Sequence, residues 1–243
     1  MPDLLHLVVI LIASLVAATL AAVAGFGGAA VLLPVLVWTF GVREAIPILT
    51  VAQLIGNGSR VWFNRRLLNL RVVGWFALGG VPMALLGGLL FAHAPLPALT
   101  RILGGFLLLI VVWRHAHPKA FWRPPAPAFA GIGAGASFLS ALLGSVGPLM
   151  APFFLAFGLV KGAYIGTEAL ATVTMHVAKL IAYRHADILP LHDILIGLFL
   201  GPLMVLGSFT GKHIVDRLPE HVFVWIIEAT LVVAGLLFLI RGA

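Results

Sequence analysis

The chain contains no cysteine, which excludes disulfide bonds, thiolate metal sites and cysteine nucleophiles and leaves the redox compartment open. Charged residues are also scarce. They make up 9% of the 243 residues, whereas a soluble globular protein has roughly 25%. Hydrophobic residues make up 62%. Because so little polar surface cannot cover a soluble globule, the composition predicts an integral membrane protein.

Sequence motifs of catalysis are lacking as well. The chain has no H-E-x-x-H, no G-x-S-x-G and no dinucleotide or phosphate loop. Ser145 stands in a Gly-rich run, but no obvious histidine and carboxylate pair accompanies it. His115 and His117 lack the further clustered ligands that a metal site needs. We therefore expect a protein that is not an enzyme and that binds no cofactor and no metal.

The apolar runs form two similar halves. In the first half they cover about 4–24, 28–40, 43–64, 70–93 and 97–114, and in the second about 126–143, 147–157, 160–184, 191–212 and 220–240. The pattern predicts an all-α membrane protein with an N-terminal repeat (1–114), a linker (115–127) and a C-terminal repeat (128–243). The second and seventh runs are too short to span, since 11 to 13 helical residues reach only ~20 Å. We therefore expect a Gly-rich re-entrant or broken helical hairpin and three spanning helices in each repeat.

Basic residues exceed acidic ones by a formal charge of +7, but most of them lie in short loops between apolar runs. This distribution orients a membrane protein and does not indicate nucleic-acid binding. With three crossings per half, one face collects nine basic residues and the other collects four. The nine are Arg65, Arg66, Arg71, Arg114, Lys119, Arg123, Lys161, Lys212 and Arg217, and the four are Arg43, Arg101, Arg184 and Arg241. This count places the linker in the cytoplasm and inverts the second repeat. Four crossings per half give eight against five, and both counts stay open.

Two of the long helices carry a polar face. Within an arc of about 80° at the helical period, the third segment presents Thr50, Gln53, Asn57, Arg60 and Asn64, and the eighth presents Glu168, Thr172, His176 and Lys179. Ionisable side chains within a membrane face a bundle interior or a wet path because lipid does not solvate them. For Arg60 the alternative is that its side chain reaches the membrane interface.

The Gly-rich runs Gly25 to Gly28 and Gly144 to Gly147 each precede a short helix. A helix N-terminus inside the membrane presents free N–H groups and a positive dipole end, which suits an anion. We expect a substrate site that combines these turns with the polar faces. Its predicted residues are Gly27, Gly28, Gln53, Asn57, Arg60, Gly147, Pro148, Leu149, Thr172, His176 and Lys179. Glu168 and His176 are candidates for proton coupling, and the alternative for Glu168 is that it neutralises a buried cation.

The duplicated order of these pieces resembles the sulfite exporter TauE/SafE family. The likeness rests on Gly25-x-Gly27-Gly28 with Pro34, on Gly158 followed by Gly166-Thr167, and on His176-x-x-Lys179. The resemblance implies a secondary transporter that exports sulfite or an organosulfonate across the bacterial inner membrane. The family is usually described with the larger number of crossings, and it often has asparagine where His176 stands.

Alternating access of the two repeats is the mechanism expected for such a transporter. The partners expected are a small anion and the lipid bilayer, with no nucleic acid. The alternative functions are a passive anion channel and a non-transporting membrane scaffold. The sequence leaves open which anion is moved, its direction, the coupling ion and the oligomeric state, for which a homo-oligomer is one option.

Overall fold

The computed structural model of the chain describes residues 4–91, 123–144 and 146–219, together with 221, 222, 225, 229 and 232. These residues form helices joined by short connections, with no strand among them. The helices are α1 (Leu4–Ala24), α2 (Gly28–Phe40), α3 (Val42–Phe63), α4 (Leu70–Leu90), α5 (Phe129–Leu143), α6 (Gly147–Ala156), α7 (Lys161–His185), α8 (Leu191–Phe199) and α9 (Gly201–Arg217). A 3₁₀ turn, Ala126–Ala128, leads into α5.

Four stretches are long and apolar enough to cross a membrane: Leu4–Ala24, Leu70–Leu90, Ala126–Leu143 and Leu191–Arg217. The chain is thus a multi-pass membrane protein, as its composition predicts. Helices α3 and α7 have 22 and 25 residues, which is also a spanning length, but they are less apolar because they carry the polar faces.

Helices α2 and α6 are short, with 13 and 10 residues, and at ~1.5 Å per residue neither reaches across a membrane core. Each follows a longer helix after a glycine turn, and Pro148 stands in the first turn of α6, where a missing N–H does no harm. The stretch 191–212, expected as one segment, is divided into α8 and α9 at Leu200. Pro202 lies in the first turn of α9, where it interrupts the helical hydrogen bonds. The fifth segment (97–114), most of the linker (115–127) and most of the tenth segment (220–240) lie outside the described residues.

The helices of the two halves interleave. Helix α1 packs against α9, α4 packs against α5 and α7, and α3 packs against α7, α8 and α9. Small residues allow the close approach, as is usual where lipid offers no hydrophobic drive for association. A Cβ on Gly207 would lie 2.6 Å from Cβ of Ala18, and one on Gly133 would lie 2.3 Å from the Phe76 carbonyl oxygen. A Cβ on Gly79, Gly80, Gly87 or Gly88 of α4, or on Gly201 or Gly211 of α9, would likewise overlap with another helix, so these glycines are contact residues between helices.

Candidate functional site

Two glycine turns meet in the interior of the bundle. The first joins α1 to α2 and the second joins α5 to α6, and their tips touch: a Cβ on Gly147 would lie 2.6 Å from Cβ of Phe26. Gly25 and Gly144 have φ of 82° and 84°, a left-handed conformation that only glycine adopts readily. Tyr164 of α7 lies directly against Gly25.

Each turn is tied to a basic side chain of its own half. Nη1 of Arg60 donates to the carbonyl oxygens of Gly25 and Ala21, both at 2.8 Å. Nζ of Lys179 donates to the Gly144 carbonyl oxygen and to Oγ of Ser140, both at 3.2 Å. The separations along the chain are the same in the two halves, 35 residues to the glycine and 39 to the second acceptor. The hydrogen bonds of Arg60 and those of Lys179 therefore occupy corresponding positions in the two halves.

Arg60 is buried, with 6% of its surface exposed. Its side chain turns inward to the first glycine turn and does not reach the membrane interface, which was the alternative. Nη2 donates to Oδ1 of Asn57, and Nη1 lies 3.6 Å from Oε2 of Glu168 on α7. Glu168 thus pairs with a cation of the other half, and its Oε1 accepts a hydrogen bond from Thr172 at 3.0 Å.

Lys179 has no exposed surface, and no carboxylate pairs with it in the part of the chain that the structure describes. Its hydrogen bonds go to one hydroxyl and one carbonyl oxygen, which do not neutralise an ammonium charge. Together with the Arg60 and Glu168 pair, this leaves two basic groups and one acidic group around the turns. Basic side chains therefore outnumber acidic ones around the buried turns.

A small cavity of about 30 Å³ lies between the turns, large enough for one or two waters at ~10–15 Å³ each. Its lining residues are Ala21, Gly25, Phe26, Gly27, Gly28, Ala29, Gln53, Asn57, Arg60, Ser140, Val146, Gly147, Met150, Glu168, Thr172, Met175 and His176. A second cavity of about 30 Å³ shares Gly28, Gln53, Asn57 and Arg60 with it and extends towards Met204 and Ser208 on α9.

His176 stands out among the lining residues. It has 1% of its surface exposed, and neither ring nitrogen has a hydrogen-bond partner among the described residues. An imidazole without partners in a dry interior is unfavourable, because its polar atoms lose their hydration without replacement. A ligand or water in the cavity would restore a partner to this ring.

Most residues predicted for the site line this cavity, but Leu149 and Lys179 do not. The Leu149 amide donates to the Val146 carbonyl oxygen at 2.9 Å, and Pro148 has no N–H. Of the amides expected from the second turn, only that of Gly147 remains at the cavity. The polar faces did not indicate Ser140, Met150 or Met175. The signal for Ser140 was its place one helical turn before Gly144.

A family model described as Sulfite exporter TauE/SafE matches residues 10–238 of the chain. The match runs from α1 through α9 and includes both glycine turns and both polar faces. No curated protein and no solved structure matches the chain.

Proposed function

Because the chain belongs to the sulfite exporter TauE/SafE family, we propose that it is a secondary transporter and that the cavity between its glycine turns binds a small sulfur-containing anion, sulfite or an organosulfonate. The observation that carries the proposal is the excess of basic over acidic side chains around the two buried glycine turns. Arg60 lines the cavity, and Lys179 lies beside it, bonded to the lining residue Ser140 and to Gly144. These two basic residues outnumber Glu168, and an anion is the ligand that compensates such an excess.

The groups that line the cavity suit an oxyanion. The first-turn amides of α2 and the Gly147 amide supply N–H donors at helix N-termini, where the helix dipole is positive. Asn57, Thr172 and His176 add side-chain hydrogen-bonding groups, and His176 has no other partner among the described residues. Arg60 is held in place by two carbonyl oxygens, so its charge is fixed before the anion arrives.

A cavity of about 30 Å³ is too small for an ion with several oxygens around a sulfur atom. We infer that this is a closed form and that the two halves move apart on one side at a time, as in alternating access. Export across the bacterial inner membrane, with the linker 115–127 in the cytoplasm, is the orientation that the basic loop residues favour.

Two features support an internal repeat, which we propose for the whole chain. Arg60 and Lys179 bind their turns across the same chain separations. The helix contacts are reciprocal too. In the repeat, α5 corresponds to α1, and α8 with α9 corresponds to α4; α1 packs against α9, and α5 packs against α4. Each copy would then contribute one re-entrant hairpin (α1 with α2, and α5 with α6) and one polar-faced helix.

Proton coupling would act through Glu168, and His176 is the second candidate. Protonating Glu168 removes the negative charge beside Arg60 and makes the cavity more positive, so that proton and anion favour each other's binding. Replacing Glu168 by glutamine imitates the protonated form. We expect E168Q to bind sulfite more tightly, by roughly tenfold for one neighbouring charge, and to lose the dependence of sulfite binding on pH.

The experiment is sulfite efflux from proteoliposomes, with Lys179→Met compared with Arg65→Met. Both variants lose one basic charge, but Arg65 is exposed and, among the residues that the structure describes, its side chain donates only to the end of its own helix. Loss of the buried charge should raise KM for sulfite roughly tenfold, while Arg65→Met should behave as the unaltered chain does. Equal KM values in all three would contradict the site.

The alternative functions give different results in the same vesicles. A passive channel carries a current that follows the electrochemical gradient and does not saturate with sulfite. A scaffold shows neither flux nor a rise in thermal unfolding midpoint with sulfite, sulfate, thiosulfate or small sulfonates. Saturable, selective flux is the outcome that the proposal requires.

A further inference from the structure

A second group of ionisable side chains lies where α3 and α8 begin. Glu44 stands in the first turn of α3, and His192 and Asp193 stand in the first turn of α8. One ligand atom from each residue lies within 4.8 Å of the other two. The group shares no residue with the cavity between the glycine turns. We propose that these three side chains form a binding site for a divalent transition metal ion of the Zn²⁺ class.

Asp193 lies close to His192 without accepting a hydrogen bond from it. Nε2 of the imidazole lies 2.8 Å from Oδ1 of the carboxylate, yet neither carboxylate oxygen of Asp193 makes a hydrogen bond within the described residues. With Nε2 protonated the two side chains form an ion pair. With a lone pair on Nε2, the state of histidine that ligates a metal, the two atoms repel each other at this distance. A metal ion that both atoms ligate removes the repulsion.

Asp193 is the buried member of the group, with no exposed surface. A buried carboxylate without a hydrogen-bond donor is unfavourable unless a cation compensates it. The ionised state of a carboxylate is the one that ligates metals.

The remaining distances fit one ion. Oε2 of Glu44 lies 3.8 Å from Nε2 of His192. Two ligand atoms that each lie ~2.0–2.2 Å from a tetrahedral Zn²⁺ are about 3.3–3.6 Å apart. The contact between His192 and Asp193 therefore has to lengthen, and the separation of Glu44 from Asp193, which is within 4.8 Å, has to shorten by at most about 1.5 Å. The side chains of Glu44 and His192 are half exposed, which lets them rotate and gives the ion a path from solvent.

The donor set indicates the class of metal. One imidazole nitrogen and two carboxylate oxygens suit Zn²⁺ and its neighbours in the first transition row, whereas Mg²⁺ prefers oxygen ligands and retains its waters. Three protein ligands leave a position for water, as in Zn²⁺ sites with an open coordination position. The bound ion would fasten α8 to α3, the helix that carries Asn57 and Arg60.

The test is equilibrium dialysis of the purified full-length protein against ZnCl₂, with metal content measured by mass spectrometry and MgCl₂ in a parallel sample. We expect about one Zn²⁺ per chain and a Zn²⁺-dependent rise in the thermal unfolding midpoint. His192→Ala and Glu44→Gln, both at half-exposed positions, should weaken binding at least about tenfold. His185→Ala, an exposed histidine outside the group, is the control and should bind as the unaltered chain does.

His192→Cys provides a rescue, because a thiolate is also a Zn²⁺ ligand and the chain has no other cysteine. We expect this variant to regain the metal and, loaded with Co²⁺, to show the charge-transfer absorption of a cobalt–thiolate bond. Undiminished Zn²⁺ binding by His192→Ala and Glu44→Gln, or no binding by the unaltered chain, would overturn the proposal. Neither result would bear on sulfite transport.

Discussion

At the scale of single residues, the glycine turns depend on two kinds of constraint. Gly25 and Gly144 both have positive φ, and both carbonyl oxygens bind a basic side chain. Their surroundings differ. A Cβ on Gly25 would lie 2.3 Å from the ring of Tyr164, whereas one on Gly144 would meet side chains only at 3.4 Å or more.

This difference predicts unequal effects of alanine. Gly144→Ala should lower the free energy of unfolding by about 1–2 kcal/mol, the penalty of the left-handed conformation. Gly25→Ala adds an overlap with a buried ring and should lower it by clearly more, which thermal unfolding in detergent would measure. Equal unfolding midpoints for the two variants would show that Tyr164 yields without penalty.

How far the residues could be predicted depends on where their partners lie. The helical period placed Asn57 with Arg60, and Thr172 with His176, on common faces, because these pairs are neighbours on one helix. The ion pair between Arg60 and Glu168 joins the two halves, and a pattern of neighbouring residues cannot predict a contact between distant parts of the chain. Lys179 shares its helix face with His176, yet its long side chain reaches back to Ser140 and Gly144, a direction that helical spacing does not specify.

At the scale of elements, α3 is the helix that contacts most parts of the site. It packs against α7, α8 and α9 and lines both cavities. The bounds of α1 and α2 are those expected, because glycine turns mark their ends. The division between α8 and α9 was missed, because the apolar run continues unbroken through Leu200.

An engineered disulfide can lock the contact between α3 and α9, and the chain has no native cysteine that would compete for it. A Cβ on Gly56 would lie 3.5 Å from Cβ of Met204, and a disulfide needs about 3.5–4.5 Å. If transport requires these helices to separate, Gly56→Cys with Met204→Cys should lose sulfite flux on oxidation and regain it on reduction.

Gly58→Cys with Met204→Cys is the matched control, since Gly58 has no neighbour within 4 Å of a Cβ. This pair should neither cross-link nor change its flux on oxidation. Full flux in the oxidised Gly56 and Met204 variant, with the cross-link verified by mass, would show that the two helices stay together during transport.

At the scale of the whole molecule, the open question is whether the second repeat is inverted. Arg66 and His185 lie 119 positions apart, as do Arg60 and Lys179, and both are exposed at the ends of polar-faced helices. Inverted repeats place these two positions on opposite faces of the membrane, and parallel repeats place them on the same face.

Single cysteines decide between these arrangements. In intact cells, an impermeant maleimide should label His185→Cys from outside and should leave Arg66→Cys unlabelled until the membrane is permeabilised. The basic loop count with three crossings per half makes this prediction. Labelling of both variants, or of neither, in intact cells would favour parallel repeats.

The packing of α1 against α9 also constrains the order in which the chain can assemble. Helix α1 leaves the ribosome before α9, whose Gly207 and Gly211 contact Ala18 and Ala22 of α1. These glycines are synthesised about two hundred residues later, which takes roughly ten to forty seconds at ~5–20 residues per second. During that interval α1 has α2 beside it, but the face that will meet Gly207 and Gly211 is not yet covered by α9. The bundle can therefore close only after α9 has been inserted.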